Sequence, residues 1–142
     1  MKIKINDVIF EQDSIIKNGE IENVRTSVGW DNDSIPYSMI VPNLFSYFTA
    51  RHNDLLVGFI SIISNKFSDA YLQDLMVMKD FQNNGIGSIL LKKAIKFCQD
   101  KNIKAIQLTF NPELESFYRK FGFHIYKAGI IDRDTMDFKI DL

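Results

Sequence analysis

The chain has 142 residues, 46% of them apolar and 25% charged, with a net charge of −1. This suffices for a single domain, 1–142, with a sizeable core, and the scattered Lys and Arg exclude the charge footprint of a nucleic-acid binder or a polybasic membrane patch. No apolar run approaches the ~20 residues that span a bilayer, residues 1–6 lack the apolar core of a signal peptide, and one cysteine, Cys98, leaves no intramolecular disulfide to form; a cytoplasmic location is expected.

Residues 2–6 alternate charged or polar with apolar side chains and predict a short strand. Residues 20–28 predict a helix with Ile21, Val24 and Val28 on one face, stopped by Gly29. Residues 31–43 admit two readings: Asp33 or Ser34 can cap a short helix, while Pro36 and Pro42 restrict it. Residues 44–51 and 55–64 read as strands joined by a hairpin turn at His52-Asn53-Asp54. A turn at 65–69 leads to a strand at 70–78, so three strands form an antiparallel meander. Next comes a helix from Ile89 to Asp100, where from the preceding glycine junction onward Ile86, Ile89, Leu90, Ala94 and Phe97 recur at helical spacing. Residues 103–110 predict a strand parallel to 70–78 through a βαβ crossover. Asn111-Pro112 then caps and opens a helix ending near Phe121-Gly122, and residues 123–128 and 136–142 are the last strand candidates. The whole is a mixed α/β (α+β) sheet with helices on its faces.

The stretch with chemical content is Gln82-Asn83-Asn84-Gly85-Ile86-Gly87-Ser88, between strand and helix. Glycines there allow positive φ and close approach of a ligand to the backbone, and the first N–H groups of the helix lack partners at the positive end of its dipole. Together these form a receptor for phosphate oxygens. A Walker-type loop requires Lys-Ser or Lys-Thr after the last glycine, and Ser88-Ile89 stands there. A dinucleotide fingerprint requires a third glycine, which is absent. The pattern Gln/Arg-x-x-Gly-x-Gly/Ala is met at every fixed position; a plain strand-to-helix turn without ligand is the bland alternative.

Leu72-x-Asp74-Leu75-x-Val77 precedes the turn, and Asn111-x-x-Leu114-x-x-Phe117-Tyr118-x-x-Phe121-Gly122-Phe123 follows the next strand. With these motifs in this order, the chain from about residue 70 to 126 resembles the GNAT superfamily of acyl-CoA-dependent N-acetyltransferases. The resemblance implies a GNAT-like fold in which antiparallel strands lead to a splayed parallel pair. It implies that the backbone of Gln82, Asn83, Asn84, Gly85, Ile86, Gly87 and Ser88 holds the pyrophosphate of acetyl-CoA. Gln82, Asn83 and Asn84 bring none of the positive charge common in relatives. It further implies that Leu75, Met76 and Val77 pair with the pantetheine arm, and that Asn111 helps to hold it. Tyr118 stands where relatives place a hydroxyl near the coenzyme sulfur, and a phenol can protonate a leaving thiolate.

For the base, Asp74 is the acid nearest the reaction centre by sequence; strict alternation puts it on one face with Leu72 and Met76, and Gln73 on the other. The acceptor side would draw on Arg25, Trp30, Asp31, Asp33, Tyr37, Met39 and Phe45. Of these, Trp30 and Tyr37 are the candidate substrate-binding residues, since aromatic walls with carboxylates suit a small-molecule or peptide amine. Cys98 reads as a small buried hydrophobe, and no cluster has metal-ligand spacing. An exposed sheet edge offers a route to a homodimer. The alternatives from other classes are a non-catalytic acyl-CoA sensor and a different nucleotide-binding protein.

Overall fold

A computed structural model describes residues 2–31 and 35–131, which fall into two compact units divided after Leu108. In the first unit, β1 (Val8–Gln12), β2 (Ser46–His52), β3 (Leu55–Ser64), β4 (Asp69–Val77) and β5 (Ala105–Gln107) form one sheet in that order. Neighbours among the first four run antiparallel, and β5 runs parallel to β4. Helices α1 (Glu20–Ser27) and α2 (Tyr37–Ile40) precede β2, and α3 (Ile86–Asp100) joins β4 to β5. The architecture is the mixed sheet with a βαβ crossover expected from the sequence.

Strand β3 occupies the predicted 55–64 because its apolar run is nearly continuous, the pattern of a strand covered on both faces. On one face Ile21 and Val24 of α1, Tyr37, Leu56, Phe59 and Met76 make a buried cluster. On the other, a Cβ placed on Gly58 would stand 2.9 Å from Leu90 Cδ1 and 3.1 Å from Ile86 Cγ2, so α3 lies directly on the strand's backbone there. Helix α3 buries Ile86, Leu90, Leu91, Ala94 and Cys98 and exposes Lys92, Lys93 and Lys96; Cys98 is the buried small side chain expected. The β2–β3 hairpin turns through Asn53 at φ 48° and Asp54 at φ 64°, the pair of positive values that a two-residue type I′ turn demands. In the next turn Asn65 Oδ1 accepts the N–H groups of Phe67, Ser68 and Asp69.

The first strand lies six residues later than the alternation at 2–6 suggests. Ile5–Asp7 form a 3₁₀ turn, closed by Asp7 N–H on Lys4 O, and pairing begins at Val8 opposite His52. The true inward pair is Val8 and Phe10, masked in the sequence by Ile9, which is 63% exposed. Strand β5 is shorter than the predicted 103–110, since it pairs with β4 only from Asp69↔Ala105 to Tyr71↔Gln107.

In the second unit a 3₁₀ turn, Pro112–Leu114, leads into α4 (Glu115–Arg119), which gives way to Gly122 at φ 92°. Pro112 sits in the first turn as expected, but the Asn111 side chain does not cap it; its carbonyl accepts Leu114 N–H instead. Residues 123–128 are irregular rather than a strand. Asp33, Ser34 and the candidate strand 136–142 lie outside the described residues.

An ion pair fastens α1 to the hairpin. Arg51 Nη1 and Nη2 donate to Glu20 Oε1 and Oε2 at 2.7 and 2.8 Å, and the same guanidinium reaches the carbonyls of Asp54 and Ile15. The hydrogen bond from Arg51 holds the Glu20 carboxyl below its ordinary 4.5. A depressed carboxyl contributes stability above the unfolded-state value and loses it as pH falls through the folded one. Glu20→Gln is therefore expected to lower unfolding free energy by about 1–3 kcal/mol at pH 7. In urea titrations the gap to the wild type should close below pH 4.5.

Candidate functional site

Strand β4 runs to Val77, a 3₁₀ turn over Lys79–Phe81 follows, and the chain enters α3 through Gly85 at φ 88° and ψ 0°. Among the described residues no side chain caps α3, so the N–H groups of Ile86, Gly87 and Ser88, the first turn, have no helical acceptor. A Cβ on Gly85 would meet nothing within 4 Å, and one on Gly87 only Val77 Cγ2 at 3.6 Å. The bend is open, and nothing fills it from within the described residues.

The polar side chains of the turn build its shape. Gln82 Nε2 donates to Val77 O at 3.0 Å, and Gln82 N–H donates to Lys79 O. Asn84 Nδ2 donates to the carbonyls of Phe81 and Gln82, while its Oδ1 accepts Ile3 N–H at 3.2 Å from 81 positions away. Asn83 takes φ 62°, as Asn does more readily than most residues. The turn carries no cationic side chain, so anion binding there would rest on oriented N–H groups and the helix terminus.

Beside the turn, β4 parts from β5. The two pair only as far as Tyr71↔Gln107, while β4 continues six residues further against β3 alone. Met78 N–H donates to Val57 O of β3; because backbone groups alternate sides along a strand, those of Val77 face the side β5 has left. Leu75, Met76 and Val77 thus present a strand edge inside the first unit, next to the glycine turn, with Met76 itself only 3% exposed.

A bulge interrupts that edge. Phe59↔Met76 and Ser61↔Gln73 are two steps apart on β3 and three on β4, with Asp74 at φ 57° inside the extra step. Strict alternation through 72, 74 and 76 therefore fails. Asp74 turns toward the helices, where Tyr37 Oη donates to its Oδ2 at 3.0 Å and Arg25 Nη1 stands 3.5 Å from its Oδ1. Arg25 Nη1 also donates to Tyr37 Oη at 2.9 Å, and Nη2 to Asp31 O at 2.6 Å. The Trp30 ring covers the guanidinium at 5.2 Å.

Burial pushes the Asp74 carboxyl above its usual value, against the Tyr37 hydrogen bond and the Arg25 charge, which pull it down. The Tyr37 phenol is raised well above its usual range, mainly by burial and next by the Asp74 charge, so it stays a donor.

Trp30, Tyr37 and Asp74, separate in sequence, are thus one cluster, and Arg25 is the residue that joins them. Its signal was present: Arg25 lies four residues after Ile21 and so on the apolar face of α1, where an arginine is out of place. A cavity of about 400 Å³ between the start of α1 and α2 is lined by Ile16, Ile21, Glu22, Tyr37, Val41 and Pro42. Met39 is 69% exposed, and Phe45 packs edge-on against Phe97 of α3 rather than with Trp30 and Tyr37.

Within the second unit, Tyr118 is 7% exposed, stacked on Phe110 at 4.7 Å with Phe117 and Phe123 edge-on. Burial raises its phenol, which keeps the proton at neutral pH. Asn111 holds extended backbone just before Pro112.

The family model described as Acetyltransferase (GNAT) family matches residues 17–123. A Porphyra purpurea protein, uncharacterized N-acetyltransferase ycf52, is 31% identical over 132 residues, covering 86% of this chain and 73% of that one. Among solved structures, the GNAT family protein SP0256 of Streptococcus pneumoniae superposes with a TM-score of 0.75 at 26% identity, covering 89% of this chain and 98% of its own. A GNAT acetyltransferase of Elizabethkingia anophelis, solved with acetyl-CoA bound, has the same fold at a TM-score of 0.69 and 20% identity, over 86% and 79% of the two chains.

At Gly85 the requirement is conformational, since a side chain there has room but a disfavoured backbone. Gly85→Ala should cost about 1–2 kcal/mol of unfolding free energy. Gly87→Ala, inside a helical turn, should be neutral or gain up to about 1 kcal/mol. Paired urea denaturation curves measure the difference.

Proposed function

The chain belongs to the GNAT family of acetyltransferases, and from that premise we propose that it acetylates a primary amine by direct attack on acetyl-CoA. The observation that carries the reading is the open, uncapped start of α3 at Gly85 beside the part of β4 that β5 leaves after Tyr71. Acetyl-CoA supplies an acetyl group activated as a thioester, with coenzyme A leaving as the thiol. Main-chain N–H groups of Asn83 and of Gly85 through Ser88, with the Ser88 hydroxyl, receive its diphosphate, in a turn whose shape Gln82 and Asn84 maintain. The edge of Leu75, Met76 and Val77 pairs with the amides of the pantetheine arm as an added strand would, and Asn111 assists. Backbone donors near Met76 favour the charge that develops on the thioester oxygen.

Two side chains move protons in this scheme. Asp74 accepts the proton that the amine nitrogen gives up as its bond to the acetyl carbon forms. Tyr118 donates its phenolic proton to the sulfur as the carbon–sulfur bond breaks. The upward pull of burial makes Asp74 a better base, which supports its role, and leaves Tyr118 protonated. Trp30 and Tyr37 form the aromatic side of the acceptor site for a small-molecule or peptide amine, with Glu22 and Lys17 lining the cavity beside Tyr37. We place the activity in the cytoplasm, with no nucleic-acid or membrane partner, in a chain that acts as one domain and offers a sheet edge for pairing as a homodimer.

Calorimetry with acetyl-CoA tests the premise: the wild type should bind, and Gly87→Val, whose Cβ meets only Val77, should remain folded and bind at least tenfold more weakly. A thiol-release assay over a panel of amines then separates an enzyme from a coenzyme-binding sensor. With an acceptor in hand, Tyr118→Phe should lower kcat about 100-fold, while unchanged turnover would remove the phenol from the mechanism.

A further inference from the structure

We propose that Arg25 is a positioning residue for acetyl transfer, holding Asp74 ionised and aimed from the β4 bulge while locking α2 and the Trp30–Asp31 segment around it. The proposal rests on the reading of Asp74 as the proton acceptor, and goes beyond it by assigning the group that makes Asp74 usable.

The geometry is that of a junction. Arg25 is 9% exposed on α1, and its guanidinium reaches beyond that helix: Nη1 serves Tyr37 Oη at 2.9 Å and Asp74 Oδ1 at 3.5 Å, and Nη2 serves Asp31 O at 2.6 Å. The backbone follows the same route, with Trp30 N–H donating to Arg25 O at 2.9 Å. The Trp30 ring, 41% exposed, shields the guanidinium on its outer side. One planar cation therefore touches α1, α2, the segment after α1, and the bulge of β4. Arginine can do this because its donors fan out in a fixed plane; a lysine ammonium is a single point and cannot serve Tyr37, Asp74 and Asp31 together.

The chemistry follows from what surrounds Asp74. Among the described residues, the charged and titratable groups that act on it are Arg25 from α1 and Tyr37 from α2; its sheet neighbour β3 presents Ser61 and Phe59 at the bulge. With burial opposing ionisation, these two groups are what keep a carboxylate there in the form that accepts a proton. Asp74 also sits at φ 57°, which Asp adopts more readily than most residues. Arg25 and Tyr37 hold both of its oxygens, so the direction and the ionisation of the group are fixed by one cluster.

The test is the pH profile of kcat/KM for wild type, Arg25→Gln, Arg25→Lys and Tyr37→Phe. Loss of the cation should move the acid limb of Arg25→Gln upward by about one pH unit. Tyr37→Phe should move it the same way by less, and Arg25→Lys should restore its position while leaving kcat several-fold down. If the limb stays in place in Arg25→Gln, however much activity is lost, the arginine is structural only and the proposal is overturned. Arg25→Met, which keeps the apolar stem, replaces the glutamine variant if that one does not fold.

Carbon-13 titration of the Asp74 carboxyl in the same proteins separates this proposal from the transfer reading. A wild type that acetylates no amine ends the transfer reading. A higher carboxyl midpoint in Arg25→Gln still sustains the control of Asp74 by Arg25, and equal midpoints overturn it.

Discussion

Strand β4 keeps going where β5 does not. Three residue pairs join the two strands, and among the described residues β4 is paired from Leu72 onward with β3 alone. A strand edge is normally a liability at the rim of a sheet, but here it lies between β3 and the departing β5, and it leads straight into the uncapped start of α3. The first turn of α3 offers N–H groups without helical acceptors, while Gln82 Nε2 already engages Val77 O at the end of β4. The rest of the first unit serves that opening: β3, covered on both faces, anchors β4, and Gly58 lets α3 come close enough to bring Gly85 to the end of the strand.

The bulge at Asp74 is the second departure from regularity. An extra residue in a strand bends it and shifts the phase of its side chains, which turns Asp74 from sheet position to helix contact. Positive φ carries a smaller cost for Asp than for most residues. The bonds from Tyr37 and Arg25 offset this, and they also tie α1 and α2 to the centre of the sheet. Geometry at the bulge and docking of the first two helices are thereby a single cooperative arrangement.

Much of this was legible in the sequence, for reasons that differ by element. Strand β3 and its hairpin could be read because apolar continuity and an Asn-Asp turn are local signals. The helices α1 and α3 followed from spacing, and the glycine turn from a motif with a physical purpose. The first strand was misplaced because Ile3 and Ile5 imitate a strand, while exposed Ile9 hides the inward pair Val8 and Phe10. The short β5 and the bulge were invisible for a deeper reason. Where two strands part, and which residue absorbs an extra step, are decided by the packing of α1, α2 and α3 on the sheet, not by the residues of the strand. Arg25 falls between these cases, since its position on an apolar helix face marks it, but only the fold names its partners.

The clasp between Asn84 and Ile3 bears on how the chain assembles. One side chain finishes the glycine turn through two carbonyls and, with its remaining oxygen, receives an amide from 81 positions earlier. Bringing such distant segments together exacts a closure entropy that no local contact repays in advance. The arm at residues 2–7 must therefore wait, unclaimed, while the hairpins and α3 condense. Docking of the arm then becomes a late event in folding, one whose completion reports that the turn has taken its final form.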